Sequence, residues 1–139
     1  MIKKKWFHNS KKVVIDWITF DSKVEWDYYL YVKMLYSNWT ILNYELQPNY
    51  ILQDRFEKDW VKYTCVKYIA DFYIEFYTRH KIVVDIKWLA TETSKLKRKM
   101  FNFKYRDIEL HWVQRYKNER VEYDENQKRI RNNKKDLKK

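Results

Sequence analysis

The chain of 139 residues contains no glycine, where average usage of about 7% predicts roughly ten. That absence excludes a Rossmann fingerprint and a P-loop, because both bring backbone against phosphate at positions only glycine allows. Cysteine is almost missing as well. The single Cys65 cannot form an internal disulfide, which favours a reducing compartment. No apolar run approaches the roughly 18 residues of a membrane span, so no membrane partner is expected. The start, Met1 to Lys12, lacks the apolar stretch of a secretory signal. One domain in the cytoplasm is the expectation.

What the chain does hold is aromatic and basic. Phe, Trp and Tyr make up 19% of it, with seven tryptophans, and the formal net charge is +11. The charge is uneven: residues 1–12 carry +5, 13–86 carry −3, 87–106 carry +6, 107–116 carry −1 and 117–139 carry +4. A mildly acidic centre flanked by basic segments suits a polyanion, since each neutralised phosphate releases counterions. The alternative is that basic tails keep an aromatic domain in solution.

The patterning divides the chain into a flexible basic arm (1–12), a domain (13–113) and a charged C-terminal extension (114–139). Val13 to Phe20 reads as a strand or hairpin. Ser22-x-x-Glu25 matches a capping box for a helix over about 21–37. Val24, Tyr28, Tyr31 and Leu35 form its apolar stripe, with Glu25 at the core boundary. Glu45 to Leu52, around Pro48, reads as an edge strand or turn, and 53–62 as a polar connection. Thr64–Phe76 and Lys81–Lys87 alternate apolar and polar residues across Thr78-Arg79-His80, which predicts a β-hairpin. A second helix runs from the caps at Thr91 to Ser94 to about Tyr105, its predicted buried stripe being Leu96, Met100 and Phe103. Ile108, Leu110 and Trp112 alternate as a strand that can return parallel to 81–87. Cys65 reads as a small core residue. His8, His80 and His111 fit no metal spacing.

One pair of acids is unusual. With the turn centred on Thr78, Asp71 and Asp85 become cross-strand neighbours with Cβ atoms about 5 Å apart. Like charges so placed destabilise a sheet unless a divalent cation lies between them. Lys87 shares their face. Two carboxylates and an ammonium could hold Mg²⁺ and orient a water against a phosphodiester. The acid-x-Lys tripeptide carries no weight alone: it occurs at Asp21, Asp85 and Asp136, and composition alone predicts about three. Only the middle one lies in an apolar strand opposite a second acid. A metal site and a solvated polar face both remain open from the residues, and a capping role remains open for Glu25.

An acid on a first helix, an Asp, an Asp-x-Lys on a hairpin and then a basic helix together resemble the PD-(D/E)XK nuclease superfamily. The nearest likeness is to phage and prophage endonucleases described as Holliday-junction-resolvase-like. It spans roughly residues 13–113 and rests on Ile18–Glu25, Tyr44–Pro48, Tyr68–Phe72, Val84–Lys87 and Thr91–Phe101. Ala70 stands where the superfamily's proline precedes the first aspartate. The resemblance implies an α/β fold with a restriction-endonuclease-like core, a mixed β-sheet with a central hairpin flanked by helices. It implies Mg²⁺ (or Mn²⁺) held by Asp71, Asp85 and the Ile86 carbonyl, with Glu25 a further ligand, direct or through water. Lys87 would position the attacking water. Lys95, Lys97 and Lys99 would contact DNA phosphates, and Gln47 would orient a water or ligand.

The implied activity is Mg²⁺-dependent endonucleolytic hydrolysis of DNA, extending to branched, Holliday-junction-like DNA. The resolvase analogy implies a homodimer, phage- or prophage-encoded, working in host cytoplasm. The alternatives are a non-catalytic nucleic-acid-binding module with a degenerate site, and a structural phage protein. The likeness departs at Trp17, Trp39, Trp60 and Trp88, where the family commonly has glycine. All four sit in turn-like contexts that suit glycine's access to positive φ. Glycine in the native organism, through a UGA codon read under another genetic code, is the corresponding expectation.

Overall fold

The computed structural model describes residues 12–87, 89–116 and 119–122. Strands β1 (Val13–Ile15) and β2 (Ile18–Phe20) form a hairpin turned by Asp16 and Trp17. Helix α1 (Lys23–Ser37) follows, with the Ser22 Oγ accepting from the Glu25 N–H at 3.2 Å, as the capping box requires. The hairpin docks on this helix through Asp16, which accepts from the Tyr29 hydroxyl at 3.1 Å and from Lys33 Nζ at 2.6 Å.

The remaining elements are β3 (Ile41–Leu46), β4 (Asn49–Gln53), β5 (Phe56–Lys58), β6 (Val61–Tyr63), β7 (Val66–Ile69), β8 (Phe72–Phe76), β9 (Lys81–Ile86), α2 (Glu92–Lys104), β10 (Glu109–Tyr116) and β11 (Glu119–Glu122). The main sheet has the order β11-β10-β9-β8-β3. Among the described strands only β9 and β10 pair in parallel, joined through α2, and the other neighbours in this sheet are antiparallel. The fold is thus mixed α/β, a mixed sheet with a central β8–β9 hairpin and two helices. Separate two-stranded ribbons are formed by β4 with β7 and by β5 with β6.

The sheet is covered on both faces. Beneath α1 lie Tyr28, Tyr29 and Val32 with Ile41, Phe72, Ile74 and Val84. On the opposite face Phe101 of α2 packs with Leu52, Tyr68, Ala70, Val83, Leu110 and Trp112. Val83 and Val84 are adjacent and both fully buried, as expected of a central strand covered twice.

Four expectations change. Thr64–Phe76 is not one strand: β7 ends at Ile69 in the small ribbon and β8 begins at Phe72 in the main sheet. Residues 53–62 include the exposed β5–β6 hairpin rather than a plain connection. Helix α2 turns Phe101 inward, while Leu96 and Phe103 are exposed. The reason is an aromatic cluster in which Phe101 meets the rings of Tyr50, Tyr68 and Tyr105 at 4.9, 5.6 and 5.1 Å. Finally, the sheet continues beyond residue 113, through the end of β10 and into β11, so part of the expected extension belongs to the domain. The basic arm, apart from Lys12, and the chain after residue 122 lie outside the described residues.

Seven residues have positive φ among those described: Asp16, Trp17, Trp39, Gln47, Asp59, Trp60 and Arg79. Three of the four tryptophans expected in glycine-like turns are therefore in the left-handed region; the fourth, Trp88, lies outside the described residues.

Candidate active site

The site is built where β8 meets β9. The register pairs Phe72 with Val84 and Tyr73 with Val83, so one further step sets Asp71 opposite Asp85. Both carboxylates then lie on the α2 side, away from Phe72 and Val84. Backbone contacts pin Asp71 at the break between the two sheets. Its N–H donates to the Val84 carbonyl at 3.1 Å, and its carbonyl accepts from the Gln47 N–H at 2.9 Å. Its Oδ2 accepts from the Ile86 N–H at 2.6 Å.

Asp85 is 5% exposed. Its Oδ2 accepts from the Tyr68 hydroxyl and lies 2.8 Å from Lys87 Nζ. Trp112, paired with Asp85 across β9 and β10, donates from Nε1 to the same Tyr68 oxygen at 3.0 Å. The guanidinium of Arg98 and the ammonium of Lys87 lie over the Trp112 ring, at 4.5 and 5.5 Å.

Electrostatics follow from this crowding. Burial, then the Asp85 charge, pushes the Asp71 carboxyl up to about 8. Burial and then Asp85 likewise push the Tyr68 hydroxyl up, so it remains a donor. Glu25 is also raised, chiefly by burial, with Asp85 among the repelling charges. A buried carboxylate facing a half-buried one forms a hard oxygen donor set, the chemistry that suits Mg²⁺. Among the described residues no group of three His, Cys, Asp or Glu side chains is arranged to hold a metal ion. Mg²⁺ typically takes one or two carboxylates and completes its shell with water and substrate oxygens, so the pair fits such an ion.

The remaining predicted residues distribute unevenly. Glu25 turns back to accept from the N–H of Asp21, one residue before the N-cap Ser22, at 3.2 Å, although its charge reaches Asp71 and Asp85. Gln47 is exposed, at φ 49°, and acts on Asp71 through its backbone. Lys95 pairs with Glu92 at 3.0 Å, and Lys99 is exposed on α2. Lys97 lines a groove of about 670 Å³ between β7 and the start of α2, together with Lys67, Lys87, Thr91, Thr93 and Ser94. Cys65 is half-buried on the wall of this groove rather than in the core. His80 and His111 both approach Glu109, at 3.6 and 3.1 Å.

Tyr68, Lys67, Arg98 and Trp112 are parts of this surround that sequence reading did not assign. The available signal for Tyr68 was a hydroxyl on a face otherwise filled by Ala70 and apolar neighbours. For Arg98, a cation on a helix gives no sign that its plane covers an indole.

An α/β domain with paired carboxylates, one of them buried, and a lysine at a central hairpin is the class these observations define. The chain belongs to a family described as "Protein of unknown function (DUF1064)", matched over residues 4–127. No curated protein and no solved structure matches it.

Proposed function

We propose that the protein is a Mg²⁺-dependent endonuclease acting on DNA, with a restriction-endonuclease-like core and Asp71, Asp85 and Lys87 at its centre. The observation that carries this reading is the juxtaposition of buried Asp85 and half-buried Asp71 with a lysine 2.8 Å from Asp85. Asp71 and Asp85, with the Ile86 carbonyl, would hold Mg²⁺ or Mn²⁺. Bound there, the ion supplies Lewis acidity toward a phosphodiester oxygen. Lys87 orients the attacking water and stabilises negative charge developing on the phosphorus oxygens. Glu25 contributes at a distance, through a water or through charge.

The groove beside the pair offers Lys67 and Lys97 to the DNA backbone, with Lys95 and Lys99 on the same helix. Phosphate contacts of this kind position the duplex without reading its sequence. Branched DNA cut on two strands would call for two copies of the chain, as the resolvase likeness implies.

The test is Mg²⁺-dependent cleavage of a four-way junction, a flap and plain duplex, each with wild type and Asp85→Ala. Cleavage that vanishes with EDTA and with Asp85→Ala supports the assignment. Cleavage untouched by Asp85→Ala, or none on any of the three, overturns it. A second reading, a nucleic-acid-binding module without catalysis, is favoured by Glu25 turning back to the Asp21 N–H. It expects DNA binding with no cleavage.

A further inference from the structure

We infer that Tyr68 is the positioning residue that sets the cation affinity of Asp85; this rests on the metal-site reading above. Tyr68 is 3% exposed, on the β4–β7 ribbon rather than on the main sheet. Its hydroxyl donates to Asp85 Oδ2, the oxygen that Lys87 also approaches. The hydroxyl's own rotation is settled by Trp112, whose Nε1 donates to it at 3.0 Å. Donors from Tyr68 and Lys87 on one oxygen fix the carboxylate plane that Asp85 would present to an ion. The Tyr68 ring is held in turn by Phe101 of α2, at 5.6 Å between centroids. Metal ligands depend on such outer partners for orientation, and losing one typically costs about 10–100-fold in metal affinity.

Tyr68→Phe keeps the ring and its packing and removes only the hydroxyl. The expected result is Mn²⁺ binding weakened about tenfold or more by calorimetry, with circular dichroism and EDTA-state DNA affinity unchanged. A purely structural role would move the last two. Trp112→Phe, which leaves the Tyr68 hydroxyl in place without its donor, should weaken Mn²⁺ binding to a smaller degree and serves if Tyr68→Phe does not fold. Wild-type Mn²⁺ affinity in a folded Tyr68→Phe, or in Trp112→Phe where only that variant folds, overturns the role of Tyr68. Undiminished Mn²⁺ binding by Asp85→Ala instead overturns the metal site itself, and Tyr68's role with it.

A separate observation concerns Trp17, Trp39 and Trp60. Their φ angles are 64°, 62° and 65°, and they are 100%, 79% and 95% exposed. Asp16-Trp17 and Asp59-Trp60 are two-residue hairpin loops with positive φ at both positions, the type I′ geometry that Asp-Gly serves best. Trp39 follows the C-cap of α1. Its N–H donates to the Tyr36 carbonyl, and that of Thr40 donates to the Leu35 carbonyl at 2.9 Å. This is a Schellman closure, whose left-handed residue is usually glycine.

Nothing at these tips repays an indole, whereas Trp112 is fully buried and hydrogen-bonded. In a chain with no glycine at all, the geometry points to glycine at positions 17, 39 and 60 of the organism's own protein, encoded by UGA.

Intact mass of protein purified from the native source decides it. A chain lighter at these three sites by the difference between tryptophan and glycine is expected, and a mass matching tryptophan throughout overturns the assignment, as would UGG codons at all three positions. Replacing all three tryptophans together by glycine should raise Tm by about 3–6 °C per site. An unchanged or lowered Tm counts against it.

Discussion

Strands β8 and β9 carry two faces that share a backbone and differ in everything else. Toward α1, Phe72, Ile74 and Val84 meet Tyr28, Tyr29 and Val32, and the surface is apolar throughout. Toward α2, Val83 is followed by Asp85, and Tyr68 and Trp112 place polar tips among the rings. One face gains stability from burial, whereas the other spends some of it to keep two acids in low dielectric. Alternation along a strand thus lets one hairpin separate cohesion from chemistry, residue by residue.

The sharpest test of that separation is Phe72→Ala on the α1 face. It should cost about 3–5 kcal/mol of stability, read from denaturant melts, while leaving the Mn²⁺ affinity of the folded fraction unchanged. Lys87→Met probes the other face. Cleavage should fall by about 10²–10³-fold with little change in Tm, and comparable loss in both would break the comparison.

A smaller effect comes from Asp71. Its folded pKa of about 8 lies above its ordinary value of 3.8, so the folded state retains a proton that the unfolded state releases across this window. Asp71's contribution to metal-free stability is therefore full below about pH 4 and is lost as pH rises through about 8, by roughly 1–3 kcal/mol. Thermal melts in EDTA at pH 5 and pH 8 measure it, and Asp71→Asn should flatten the slope. Smallest of all, Lys97→Ala should weaken DNA binding modestly across sequences and reduce the salt slope by about one.

The parts legible in the sequence were those written as local pattern. Apolar alternation on both sides of Thr78 sufficed to oppose Asp71 and Asp85, and Ser22 with Glu25 marked the start of α1. Other parts depended on partners far along the chain. Alternation runs without interruption through Ala70 and Asp71, so nothing local marks the switch from the ribbon to the main sheet. In α2, Leu96, Met100 and Phe103 have helical spacing, yet the packed face is centred on Phe101 and includes Arg98 over Trp112. Cationic side chains that cover rings with their planes and stems are invisible to a hydropathy stripe. The β5–β6 hairpin is exposed along its length, and a ribbon that buries little leaves no hydropathy record.

The break at Ala70 and Asp71 joins two sheets to one strand. Tyr68 lies on the ribbon side of it, and Asp71 leads into the main sheet, yet each is bound to β9: Tyr68 through Asp85, Asp71 through Ile86 and Val84. The ribbon and the main sheet are thus tied to one strand on either side of the carboxylate pair, while Lys104 and Tyr105 fasten the ribbon to the end of α2 through the Ile51 carbonyl.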